Sequence, residues 1–254
     1  MVTKLNTSKF AHLRKNEILV PHLNAWLARG EFPDEIPIKI GMNKEKDDAF
    51  HPSSATKCSR QLYAEMTGDL IDGKPTAEQQ LTFSIGHMYH GFIQWILVEG
   101  LGFCTWDDIE KEHDLKFTTQ NGNPYRVRGF IDCARCVVPN RGTYLVDVKT
   151  MNTRLFAQDN LPASTHERYE AQVQIYLEFE DLDEAIILCV SKDSPHRFKE
   201  VIVHRDTDFV ERTMDRWEDV VDAMASGEIP DCTCFDPSSC PTRKLYDNNG
   251  IIAG

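Results

Sequence analysis

Between Arg126 and Lys149 the chain has little choice of local structure. Strand-like residues run from about Arg126 to Val138 and from Thr143 to Lys149, and the turn formers Pro139, Asn140, Arg141 and Gly142 separate them, so a β-hairpin is expected. With Asn140 and Arg141 at its tip, Asp132 stands opposite Lys149 and Ala134 opposite Asp147. Side chains alternate along a strand, so Asp147 and Lys149 share one face and Asp132 joins them across the ladder. A one-residue bulge would break this register.

Two carboxylates on one half-buried face repel unless a proton or a cation intervenes, and a hard divalent ion with oxygen ligands is the natural partner. Lys149 cannot ligate such an ion while protonated. It can donate to a phosphate oxygen and stabilise negative charge that grows during phosphodiester cleavage. Taken alone, a hairpin of this kind more often carries a cross-strand salt bridge.

Two helical segments change that balance. Thr76 to about Gly100 has a helical pattern in which Gly86, His90 and Gln94 recur every four residues and form one face, so His90 can reach a metal from beside the sheet. A second helix, roughly His166 to Glu180, carries Gln172 and Tyr176 one turn apart. His87 points elsewhere on its helix and has a structural role. Glu112, ahead of the hairpin, is a solvated charge rather than an outer ligand.

SIGHMYHGFIQ, RGFIDC, YLVDVKT and QVQIY, in that order, resemble the successive motifs of the RecB-like branch of the PD-(D/E)XK nucleases over about residues 50–240. The resemblance implies a restriction-endonuclease-like α/β core, a mixed central sheet flanked by helices. It implies that His90, Asp132 and Asp147, with the backbone carbonyl of Val148, bind Mg²⁺ or Mn²⁺. It further implies that Lys149 is catalytic and that Gln172 and Tyr176 position DNA or the lysine. At the third acidic position this chain has Asp147, the shorter of the two residues found there.

Eight cysteines in 254 residues are too few for a disulfide scaffold in a chain long enough to bury its own core. No signal-peptide pattern or membrane-length apolar run is seen, so a reducing cytoplasm and no membrane are expected. Cys232, Cys234 and Cys240 crowd a proline-bracketed tail, where a metal would anchor the chain and need a fourth ligand, which the resemblance implies is Cys58. RecB-like nucleases of the CRISPR-adaptation and helicase-associated types bracket their core with one early and three late cysteines around a [4Fe–4S] cluster, and the resemblance implies the same here. The late spacing departs from theirs, being C-x-C-x5-C, which leaves tetrahedral Zn²⁺ as the alternative. Cys133 and Cys136 form a C-x-x-C pair whose odd separation directs the sulfurs to opposite faces of a regular strand, so both are packing residues. Cys104 and Cys189 have apolar neighbours and belong to the core.

The remaining pattern gives an amphipathic stretch around LRKNEILVPHLNAWLARG interrupted by Pro21, a polar loop at 41–50, strands near 109–118, 184–191 and 198–204, and an amphipathic helix over 206–226 closed by Gly227. The order α-β-β-β-α-β-β-α describes one elaborated domain: an N-terminal helical segment at 1–75, a nuclease core at 76–227 and a cysteine tail at 228–254. A net charge of −12 argues against a broadly basic nucleic-acid surface. Lys57, Arg60, Arg126, Arg128, Arg154 and Arg168 can still line a local channel, unless the abundant acids pair with them. The sequence therefore leads to a metal-dependent exonuclease acting on DNA, with single strands cut from an end favoured by the resemblance. A structure-specific endonuclease, or a DNA-binding subunit that docks a helicase, integrase or recombination partner, is the other reading. A redox protein would need an electron-partner site that the sequence does not offer.

Overall fold

The hairpin forms the centre of a five-stranded sheet. The computed structural model describes residues 17–38, 47–70, 73–157, 163–193, 196–234 and 240–246. The helices are α1 (Val20–Arg29), α2 (Ser59–Thr67), α3 (Ala77–Trp95), α4 (Thr153–Phe156), α5 (Ala163–Glu180) and α6 (Thr207–Ser226). The strands are β1 (Ile109–Thr118), β2 (Pro124–Val138), β3 (Gly142–Met151), β4 (Glu184–Ser191) and β5 (Phe198–His204), hydrogen-bonded in sequence order. All pairs are antiparallel except β3–β4, whose parallel register requires the crossover that α5 provides. The expected α/β class, a mixed sheet flanked by helices, is what the chain forms. Residues 13–16 of the amphipathic stretch and 41–46 of the polar loop lie outside the described residues.

Local sequence accounts for the element boundaries. Thr76 caps α3 through a reciprocal box with Gln79, and one wide turn over Ile96–Gly100 ends that segment. Asp206 caps α6, which stops at Gly227 in the left-handed conformation. Pro21 begins α1 instead of interrupting a longer helix, because a proline in the first turn forfeits no intrahelical bond.

Two cores sandwich the sheet. On one side Leu23 and Trp26 of α1, Ile93 of α3 and Leu97 of the turn that follows it pack on Val146, Val148, Ile186 and Leu188. On the other, Val173, Tyr176 and Leu177 of α5 pack on Ile131, Leu145 and Ile187. A third cluster, with the fully buried Trp217 stacked on Phe50 at 5.3 Å, joins α2 and α6 to the start of β2. The alternation along β3 thus sends Val146 and Val148 toward α3, and Asp147 and Lys149 toward α5.

The hairpin register differs from the sequence expectation. Val138 pairs with Gly142, leaving a three-residue loop with Asn140 at φ 59°, and Ala134 with Arg135 bulges against Leu145 before Cys133 pairs with Val146. Beyond that pair β2 follows β1 and β3 follows β4, so the two strands fork. Asp132 therefore does not stand opposite Lys149 in a ladder. The bulge also corrects the reading of Cys133 and Cys136: the extra residue restores their phase, and both are fully buried in the same core on the α3 side. They remain packing residues, as does the fully buried Cys189.

Candidate active site

The fork exposes backbone groups that a continuous ladder would have paired. The Val148 N–H, left without a β2 carbonyl, donates instead to Asp132 Oδ2 at 2.7 Å. Asp132 Oδ1 lies 3.2 Å from His90 Nδ1. The face of α3 expected from its four-residue spacing passes over three strands in turn. A Cβ at Gly86 would come within 3.3 Å of Thr150 on β3, His90 meets Asp132 on β2, and Gln94 reaches the carbonyl of Asp132 and the carboxylate of Glu110 on β1.

From the other side, Lys149 Nζ donates to Asp147 Oδ1 at 2.9 Å and to Gln172 Oε1 at 3.1 Å, and lies 5.3 Å from the ring centre of Tyr169. Gln172 Nε2 in turn donates to the Tyr176 hydroxyl at 3.4 Å. The two residues expected to orient the lysine thus form a relay one helical turn long. Tyr169, one turn before them on α5, adds a ring face that the sequence did not flag.

The charges are strongly coupled. Burial pushes the Asp147 carboxyl above the usual carboxylate range, and the charge of Asp132 adds to this while Lys149 opposes it. Asp132 shifts the other way. Burial would raise it, but the charge and hydrogen bond of His90, the charge of Lys149 and the Val148 N–H together hold it low. For His90 and Lys149 burial disfavours the charged form, yet the neighbouring carboxylates outweigh it and raise both. Asp147 Oδ2, 2.8 Å from Lys149 Nζ, is buried without a hydrogen bond of acceptable geometry. Asp147 is thus held by its ion pair with Lys149, while the ligand atoms of His90, Asp132 and Glu110 lie within 4.8 Å of one another, a donor set that fits a hard divalent cation.

Gly129 of RGFIDC has a steric role. A Cβ there would stand 2.7 Å from Tyr176 Cε1 and 3.1 Å from Pro52 Cδ. Gly129→Ala is expected to push the Tyr176 ring off Gln172, costing about 1–3 kcal/mol of stability, the usual range for overpacking. Denaturant unfolding checks it, and an unchanged midpoint would show that the ring shifts freely.

Glu110 was missed by the sequence reading, which weighed Glu112 instead. Glu112 pairs with Arg128 at 2.7 Å. The ligand atoms of Glu110, His90 and Asp132 lie within 4.8 Å of one another. Nothing local distinguishes the two glutamates. Among the candidate DNA-binding cations, Lys57 pairs with Glu65, Arg126 with Asp48 and Asp114, and Arg128 with Asp47 and Glu112. Arg60 holds the tail through Pro230 O at 2.8 Å. Arg154 and Arg168 are exposed and make no ion pair among the described residues; Arg168 lies against Tyr169.

Cys58, Cys232, Cys234 and Cys240 converge, their sulfurs all within 4.8 Å of one another and the Cys58–Cys240 pair 3.9 Å apart. Cys58 is also the N-cap of α2, its sulfur accepting from the Gln61 N–H. Burial raises the Cys58 thiol, whereas hydrogen bonds from Thr242 overcome burial at Cys240 and bring it down to about 7. Four thiols so placed fit a soft metal centre.

No protein-family model matches the sequence, and no curated protein matches it. Among solved structures similar to this chain, SSO0001 is 17% identical, with a TM-score of 0.48 over 70% of this chain and 78% of its own. LHK-Exo in complex with dAMP is 14% identical, with a TM-score of 0.42 over 71% and 89%. A phage-related exonuclease from Haemophilus somnus 129PT is 15% identical, with a TM-score of 0.36 over 70% and 96%. Among the described residues no helix is long and apolar enough to cross a membrane.

Proposed function

We propose that the chain is a Mg²⁺- or Mn²⁺-dependent deoxyribonuclease that hydrolyses single-stranded DNA from an end. The observation that carries this reading is the fork, where the Asp132–His90 pair meets Asp147 and Lys149 with Gln172 behind the lysine. A purely structural salt bridge would need neither the second buried carboxylate nor the imidazole. His90, Asp132, Asp147 and the Val148 carbonyl would hold the cation, which supplies charge neutralisation at the phosphate and acidifies the attacking water. Lys149, kept charged by the two carboxylates, donates to a non-bridging phosphate oxygen as water attacks phosphorus and the P–O bond to the leaving sugar oxygen breaks. Gln172 and Tyr176 keep the ammonium from swinging away, and a lysine already positioned loses less entropy at the transition state. Arg154 and Arg168 are the cations best able to meet the strand's phosphates, so binding weakens as salt rises.

The cysteine centre is proposed to tie the tail to α2. The motif resemblance supports a [4Fe–4S] cluster. The sulfur spacing supports a second reading, a single tetrahedral zinc, whose Zn–S bonds of about 2.3 Å put neighbouring sulfurs about 3.8 Å apart.

End dependence follows from the resemblance, and linear single strands are expected to be degraded while covalently closed single-stranded circles survive. Gel analysis of both substrates with Mn²⁺ checks this. Rapid nicking of circles would favour the endonuclease reading, and binding of DNA with no cleavage of either substrate would favour the docking-subunit reading.

A further inference from the structure

Glu110 occupies an unusual backbone position. Its neighbours on β1 pair regularly with β2, Ile109 with Cys133 and Lys111 with Ile131, and Glu110 lies between them, level with Asp132. It adopts φ 49°, a left-handed conformation that a residue with a side chain rarely takes without support. Gln94 provides that support. This amide is buried, and its Nε2 donates to Glu110 Oε1 at 2.8 Å and to the Asp132 carbonyl at 3.2 Å. One side chain of α3 thus fixes Glu110 relative to the backbone of Asp132.

The charge balance makes the arrangement informative. Glu110 forms no ion pair among the described residues, and its chain neighbour Lys111 is paired with Glu180. Its carboxylate lies within 4.8 Å of the ligand atoms of Asp132 and His90, and the buried Asp147 Oδ2 of the same fork has Lys149 Nζ at 2.8 Å but no hydrogen bond. The Glu110 and Asp132 carboxylates repel at this distance, and a cation between them and the His90 ring relieves the repulsion. We propose that Glu110 is a further protein ligand of the divalent cation, entering from β1, and that Gln94 is the positioning residue that aims it. This rests on the metal-dependent reading of the fork and extends it to a residue outside the sequence motifs.

The test is Mn²⁺ binding to the full chain without DNA, measured from the free-ion electron paramagnetic resonance signal, for wild type, Glu110→Gln, Glu112→Gln, Gln94→Ala and Asp132→Asn. Glu110→Gln is expected to weaken Mn²⁺ binding by at least about tenfold, and Gln94→Ala by roughly 10–100-fold, the range for residues that orient a ligand. Glu112→Gln is expected to bind as wild type, and Mn²⁺ should raise the unfolding temperature of the wild type more than that of Glu110→Gln. Wild-type affinity in Glu110→Gln alongside lost binding in Asp132→Asn would overturn the role of Glu110 alone. Wild-type affinity in both would overturn the metal site itself.

Discussion

Asp132→Asn is expected to lower strand cleavage by about a thousandfold or more. Asparagine keeps an oxygen that can accept from the Val148 N–H, so the fork persists, but the charge facing His90 is gone. Loss of one ligand removes about 4 kcal/mol of transition-state stabilisation, and each 1.36 kcal/mol is about a factor of ten in rate. Asp147→Asn and Lys149→Ala should also abolish cleavage, but they disturb more than catalysis. Removing Lys149 leaves the fully buried Asp147 without its cation, and breaking one partner of a buried pair costs about 3–5 kcal/mol unless the acid takes up a proton. Single-turnover rates beside denaturant midpoints separate the effects. Asp132→Asn should lose rate at nearly constant stability, Lys149→Ala should lose both, and wild-type-like cleavage by any of the three would remove that residue from the site.

Cys58→Ser and Cys240→Ser are expected to lose the metal centre and free the tail. The early cysteine starts α2 while the late three follow α6, so the centre joins segments more than 170 residues apart in sequence that otherwise meet through contacts such as Arg60 to Pro230 O. Metal affinity at such a site is folding energy, because the unfolded chain does not hold the thiolates together. Limited proteolysis should cut the tail first in these variants, while Cys133→Ala and Cys136→Ala, buried in the sheet core, keep the full metal content. Protein purified without oxygen should be brown with broad absorption near ~400 nm if the centre is iron–sulfur; colourless protein with about one zinc per chain selects the tetrahedral ion. Neither metal in the wild type, or full metal in Cys58→Ser, would refute the shared site.

The chain announces its elements more clearly than its registers. Short apolar runs flanking a turn marked β4 and β5 to the residue, and heptad-like periodicity with capping residues marked α6 to within one, because these are local signals. The bulge at Ala134 and Arg135 was not legible, since it is set by how β2 leaves β3 for β1 and no residue there has a conformational requirement that shows it. That bulge is why Asp132 meets a backbone N–H of β3 instead of Lys149, and why Cys133 and Cys136 share a face. The residues brought together at the fork were nevertheless all named from the sequence, by spacing or by the motif resemblance, apart from two. Glu110 escaped because a left-handed glutamate carries no sequence mark, and Tyr169 because a ring beside a lysine is visible only in three dimensions. The three late cysteines were legible because thiols crowded into a proline-rich tail have no packing use there, and Cys58 was implied by the motif resemblance. The basic residues were over-read, since four of the six have partners inside the chain.

The central claim is that the fork hydrolyses DNA with a divalent cation, and the most direct measurement follows end-labelled linear single-stranded DNA with wild type and Asp132→Asn in EDTA and after adding excess Mn²⁺ or Mg²⁺. The wild type should release no product in EDTA and resume cleavage when either ion is restored, with Asp132→Asn inactive throughout. Undiminished wild-type cleavage in EDTA, or wild-type rates in Asp132→Asn, would contradict it.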